Sequence, residues 1–232
     1  LALGFFVFPE TVTDATRRRF SLRDSSPFSA LKNLSKLPFV GRLILVSFLY
    51  ELAVIVYPAI WAFYGQAGFG WSPGMIGVSL AAFGVSVVVV QVGLIRLLLR
   101  LFPERKIVLI GLAFEMLSLI TLGLVSNGNV ILAIIPIAAV GAVISPALQT
   151  MMSRRVSADR QGELQGVLAS ARALAAIISP LVMTQMFFAF TAPGAPIYLP
   201  GAPFLLALVL IVVCGIVFVA TPRAEAGTGS GD

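Results

Sequence analysis

Six stretches of nineteen to twenty-seven residues, almost free of charge, fill most of the chain: 40–64, 73–98, 106–125, 130–153, 164–190 and 202–220. At a rise of 1.5 Å per residue, about 20 helical residues cross a hydrocarbon core of about 30 Å. The sequence therefore predicts an all-α polytopic membrane protein, a bundle of six transmembrane helices over 40–221. The composition agrees, since 59% of the 232 residues are hydrophobic and only 11% charged, against about 25% charged in soluble domains.

The connectors alternate in character. "GQAGFGW", "SNGN" and "TAPGAPIYLPGAP" carry no charge, whereas "RLFPERK" and "SRRVSADRQGE" are basic. Of 16 Lys and Arg, all but Arg172 fall before the first span, at membrane edges, in the two basic connectors or after the last span. If six helices zigzag, these positions share one side, and the positive-inside rule makes that side, with the C-terminus, cytoplasmic. The net charge of +6 then reports this bias and not a nucleic-acid partner. Before the first span, residues 1–9 read as the truncated end of a preceding transmembrane helix, and 10–39 as a basic cytoplasmic loop. Residues 222–232 read as a disordered cytoplasmic tail. A half-helix, a basic loop and six spans together look like the second half of a twelve-helix transporter, each half of which is commonly a pair of three-helix inverted repeats. "AVISPALQ" and "AIISPLVM", in the fourth and fifth spans, echo each other.

Three ionisable residues lie at depth: Glu51, Glu115 and Arg172. A charge near the bilayer centre costs at least about 2.5 kcal/mol and is usually paired, turned inward or functional. Arg172 belongs to the row Gln165, Ala169, Arg172, Ala176, Ser179 and Met183, small or polar throughout, which points that face into the bundle. With two acids and one base, Arg172 can neutralise one acid and leave the other to carry a proton; which acid pairs stays open at this stage. The three together form the expected proton pathway. Ser47, Tyr50, Tyr57, Trp61 and Tyr64 form a stripe on the first span at helical spacing. Trp61 and Tyr64, near the outer edge, suit an aromatic belt or helix packing. Tyr50 and Tyr57 lie deeper, where a hydroxyl needs a partner or a wet cavity, and with Gln149 and Gln165 they are the expected substrate cavity.

Other chemistry finds no support. With no His and the single Cys214, neither a zinc nor a haem site can be built, no cofactor is implied, and Ser–His and Cys–His catalysis are unavailable. No phosphate loop is present, and no enzyme activity is expected. Glu104 and Arg105 in "FPERK" read as a solvated charge cluster.

Two segments resemble the tetracycline/proton antiporters of the major facilitator superfamily in their C-terminal half, helices 7–12. They are "YPAIWAFYGQAGFGWSPGMIGVSLA" (57–81) and "SPALQTMMSRRVSADRQGELQGVLASARALAAIISPLVMT" (145–184). The loop "GLIRLLLRLFPERK" is similar to the degenerate second copy of that superfamily's cytoplasmic gating motif, with Gly93, Arg100, Arg105 and Lys106 at its glycine and basic positions. Glu115 falls where those antiporters carry a membrane acid, and the resemblance implies that it takes part in drug/proton exchange. Arg172 and Ser179 depart from the family, which is expected to carry a small or polar residue and a glycine there.

The resemblance implies proton-coupled drug efflux by alternating access, for a tetracycline-like or other multidrug substrate. The implied partners are a small-molecule drug, protons, the lipid bilayer and an N-terminal six-helix half, and the implied location is a bacterial inner membrane. A transporter of another solute, such as a sugar or metabolite, and a non-transporting scaffold whose buried charges only hold helices together remain alternatives.

Overall fold

The computed structural model describes residues 38–222. The readings of residues 1–9, of the loop before Pro38 and of the tail from 223 lie outside the described residues. Among the described residues, six helices are long and apolar enough to cross a membrane: α1 (Phe39–Phe69), α2 (Pro73–Leu101), α3 (Glu104–Leu124), α4 (Gly128–Ser153), α5 (Ala158–Thr191) and α6 (Ala202–Val219).

Local chemistry sets the ends. Ser72 caps α2 by accepting from the Met75 N–H at 3.3 Å, with Pro73 at the first helical position, where its missing N–H costs nothing. Asn127 caps α4 through the Asn129 N–H at 3.0 Å. α1 stops at Gly70, whose φ of 63° is a conformation glycine adopts without strain, and the chain turns back so that the Trp71 N–H reaches the Gly65 carbonyl.

Two prolines coincide with breaks in the regular helical pattern. In α1 the helix breaks at Ile55, between Val54 and Val56, because the Pro58 ring crowds the carbonyl four residues before it. In α4 the turn Val140–Val143 tightens to a 3-10 helix, just ahead of Pro146, whose ring presses on Ala142 in the same way. α2 carries a π-helical turn at Val90–Leu94 with no proline in it.

α1 packs on α5 and α6, α4 packs on α2 and α3, and α3 packs on α6. Exchanging the first three helices for the last three leaves these main neighbours unchanged, the arrangement expected of two three-helix repeats. That exchange relates α4 to α1, not to α5, so the echo between "AVISPALQ" and "AIISPLVM" does not mark equivalent positions. Small residues permit the close approaches: a Cβ at Gly111 would press on Val143 and Ile144, and one at Gly123 would meet Leu205.

The outer edge differs from the belt that sequence allowed. Trp61 and Tyr64 are buried. Trp61 donates to Ser79 Oγ at 2.8 Å, and Tyr64 donates to the Leu122 carbonyl at 2.7 Å. Trp61, Trp71, Tyr64, Phe69 and Phe204 form one aromatic cluster, with the two indoles 6.2 Å apart. α1 runs on to Phe69, and Trp61 and Tyr64 pack against α2, α3 and α6 through Ser79, Leu122 and Phe204.

Candidate functional site

Glu115 sits midway along α3, only 2% exposed. Its Oε1 accepts from the Tyr57 hydroxyl at 2.9 Å. The space for the carboxylate comes from Gly141, in the tightened turn of α4: a methyl group built there would collide with it. Tyr50, two turns earlier on the same face of α1, donates to the Gly141 carbonyl at 3.0 Å. The two tyrosines thus clamp the acid and the turn opposite it. A carboxylate accepts through two oxygens, and no cation contacts this one among the described residues. Below it, Tyr57, Trp61, Leu80, Phe83, Ile134 and Ala138 line an apolar cavity of about 250 Å³.

The second group is an ion pair. Arg172 Nε donates to Glu51 Oε1 at 3.1 Å, and Nη2 lies 3.4 Å from Ser145 Oγ. The pairing that sequence left open is thereby resolved: Arg172 meets Glu51, and Glu115 stands apart with a tyrosine. Toward the ends of α4 and α5, Gln149 Nε2 donates to Gln165 Oε1 at 3.0 Å. Ser47, Tyr50, Glu51, Ser145, Gln149 and Arg172 share the walls of one small cleft. Tyr50 and Glu51 meet there although they are successive residues, since Tyr50 is buried beneath the cleft while Glu51 reaches across to α5. Tyr57 lines the separate apolar cavity, so of the four residues expected to form one substrate cavity Tyr50 and Gln149 share the cleft, Tyr57 lines the other space, and Gln165 joins only through its bond to Gln149.

The charges at the basic-loop end are engaged and not simply solvated. Glu104 pairs with Arg154 at 2.7 Å, joining the α2–α3 and α4–α5 connectors. Arg105 donates to the carbonyls of Thr221 and Val219, both at 2.8 Å, and stands over the Phe218 ring at 5.2 Å. A cation at those carbonyls satisfies acceptors left over by α6 and opposes the negative end of its dipole. Of the other expected gating residues, Arg100 and Lys106 are exposed, and Gly93 lies exposed in the π turn of α2.

A family model described as Major Facilitator Superfamily matches residues 1–180 and, in a second alignment, residues 43–231. The chain belongs to the Major Facilitator Superfamily. Within that superfamily it is similar to the tetracycline resistance protein, class C, of Escherichia coli, at 33% identity over 211 residues, which cover 88% of this chain and 53% of the relative. The class G protein of Vibrio anguillarum is 35% identical over 163 residues, 70% of this chain and 42% of the relative. The human hippocampus abundant transcript-like protein 1 is 24% identical over 240 residues, covering 95% and 47%. The chain spans about half the length of the curated relatives it matches. As in the superfamily generally, it is an integral membrane protein.

Sequence reasoning passed over Gly141 and Ser145 in this Major Facilitator Superfamily chain. A signal was available: Gly141, Ser145 and Gln149 fall four apart on one face of α4, opposite the tyrosine stripe. Ser79, partner of Trp61, gave no comparable sign.

Proposed function

We propose that this chain forms the C-terminal half of a proton-coupled drug efflux transporter that works by alternating access. Its basic loops and C-terminus face the cytoplasm of a bacterial cell. Substrate is taken up between this half and an N-terminal six-helix half near the midplane, and rocking of the halves exchanges it for protons. α2 and α5, with 11% and 22% of their spans buried against 39–50% for the other four, offer the faces on which the other half rests.

The observation that carries the proposal is the division of labour among the buried charges. Arg172 is committed to Glu51, so Glu115 is free to gain and lose a proton against Tyr57 alone. An enclosed acid without a cation is costly to keep, and a proton carrier is a reason to keep it. Likeness to the tetracycline resistance proteins supports a drug as the cargo.

The test is drug accumulation in cells expressing the full-length transporter, with and without an uncoupler. Uncoupler-sensitive export of tetracycline or another drug is expected, and Glu115→Gln, which keeps shape but cannot titrate, abolishes it while leaving the amount in the membrane unchanged. Equal export by the Glu115→Gln protein would make the acid helix glue. Sugar-driven alkalinisation in place of drug export would assign another solute.

A further inference from the structure

We propose that Arg172, with Ser145 and the Gln149–Gln165 amide pair, forms a subsite for a carboxylate on the transported drug. This rests on the efflux reading and names the substrate class within it.

The position of Arg172 is the first argument. It lies about 21 Å of helix rise from Ala158, well inside α5, yet its side chain is 50% exposed. A guanidinium at that depth cannot face hydrocarbon and must border an aqueous cavity or another polar surface. Glu51, at 21%, fills only one side of it. Arginine carries five N–H groups in a rigid fork. The contacts to Glu51 and Ser145 use two of them among the described residues. The remaining donors match the two oxygens of a carboxylate, which arginine binds side by side.

The surroundings supply the rest of a site. The amide bond between Gln149 and Gln165 uses one donor and one acceptor, and each amide has two donors and a two-lone-pair oxygen. The second Gln149 N–H is therefore available in the cleft that Arg172 lines, while Gln165, two turns from Arg172 on α5, orients that amide through the bond it accepts. Ser145 and Gln149 line the same cleft as Arg172; its enclosed space of about 10 Å³ holds no more than a water, so the carboxylate meets the guanidinium from its exposed side.

Holding α1 to α5 does not by itself account for the pair. Ser179 already ties the two helices, donating to the Leu52 carbonyl at 2.7 Å. A neutral glutamine in place of Arg172 would serve as glue equally well, without a charge at depth.

The test pairs norfloxacin, a planar drug with a carboxylate, with its methyl ester, which differs at that group alone. Both are assayed for uncoupler-sensitive export by the full-length transporter, and for binding to the purified protein by calorimetry. In Arg172→Gln, export and affinity for the acid fall at least tenfold while those for the ester stay within twofold. Arg172→Lys, which keeps the charge but loses the fork, is intermediate for the acid. Equal effects on acid and ester, at normal membrane abundance, would make Arg172 a helix-contact residue and overturn the subsite. So would indifference of both to the substitution. A wild-type protein that exports the ester but neither exports nor binds the acid overturns the subsite and leaves efflux standing; one that exports neither drug, nor any other, overturns both.

Discussion

Glu115 and Gly141 occupy one space, and that makes position 141 sensitive. Gly141→Ala drives a methyl group into the carboxylate, and overpacking of this kind costs about 1–3 kcal/mol. Thermal unfolding of the purified protein in detergent should show the loss, and combining it with Glu115→Asp, one methylene shorter, should recover most of it. If the double variant is as unstable as Gly141→Ala, the clash lies elsewhere. Tyr57→Phe strips the acid of its hydroxyl donor, and a buried group left without its partner costs about 1–3 kcal/mol; the same melt measures it. At this scale the sequence was legible in part. Charge at depth exposed Glu51, Glu115 and Arg172, because an apolar segment makes any ionisable residue conspicuous. Which acid met Arg172 was not legible, since pairing depends on how α1, α3 and α5 are rotated about their axes. Gly141 stayed hidden for the opposite reason: a small residue in a span is ordinary until its neighbour is known.

Among the helices, the arginine fork at the end of α6 distinguishes two interactions that look alike on paper. Arg105 binds the last carbonyls of α6 and stacks on Phe218. Arg105→Ala therefore frays that helix end at a cost of about 1–2 kcal/mol, visible as faster hydrogen exchange over 216–221. Glu104→Gln breaks the pair with Arg154, whose side chain is 69% exposed, and a pair open to water is worth about 0–1 kcal/mol, so the melt should barely move. A larger effect of Glu104→Gln than of Arg105→Ala would reverse this ranking. The proline bends of α1 and α4 follow from Pro58 and Pro146, which sequence displays openly. The π turn at Val90–Leu94 does not, for no proline marks it. Of the belt and the helix packing that the sequence allowed for Trp61 and Tyr64, packing is what the structure shows, with α1 running on past its bend to Phe69.

For the molecule as a whole, six apolar stretches gave six helices with edges displaced by a few residues, because hydrocarbon thickness imposes a minimum length that composition records directly. The neighbours of each helix needed three dimensions, and the two SP motifs differ even locally: Pro146 follows the 3-10 turn of α4, whereas Pro180 lies inside the unbroken helix Gln161–Thr191. Orientation is testable across the entire chain. A cysteine at Asn127 should react with a membrane-impermeant maleimide added to intact cells, and one at Ser157 only after permeabilisation; the reverse pattern would invert the topology. Cys214 is fully buried against Val46 and should stay silent in both. The pair of tryptophans has a comparable use. They are the only two in the chain, they touch, and both belong to the end remote from the basic loops. Ultraviolet-excited emission from this chain is consequently a local gauge: it should dim or shift when something enters the apolar cavity beside Trp61, and stay blind to events around Arg105.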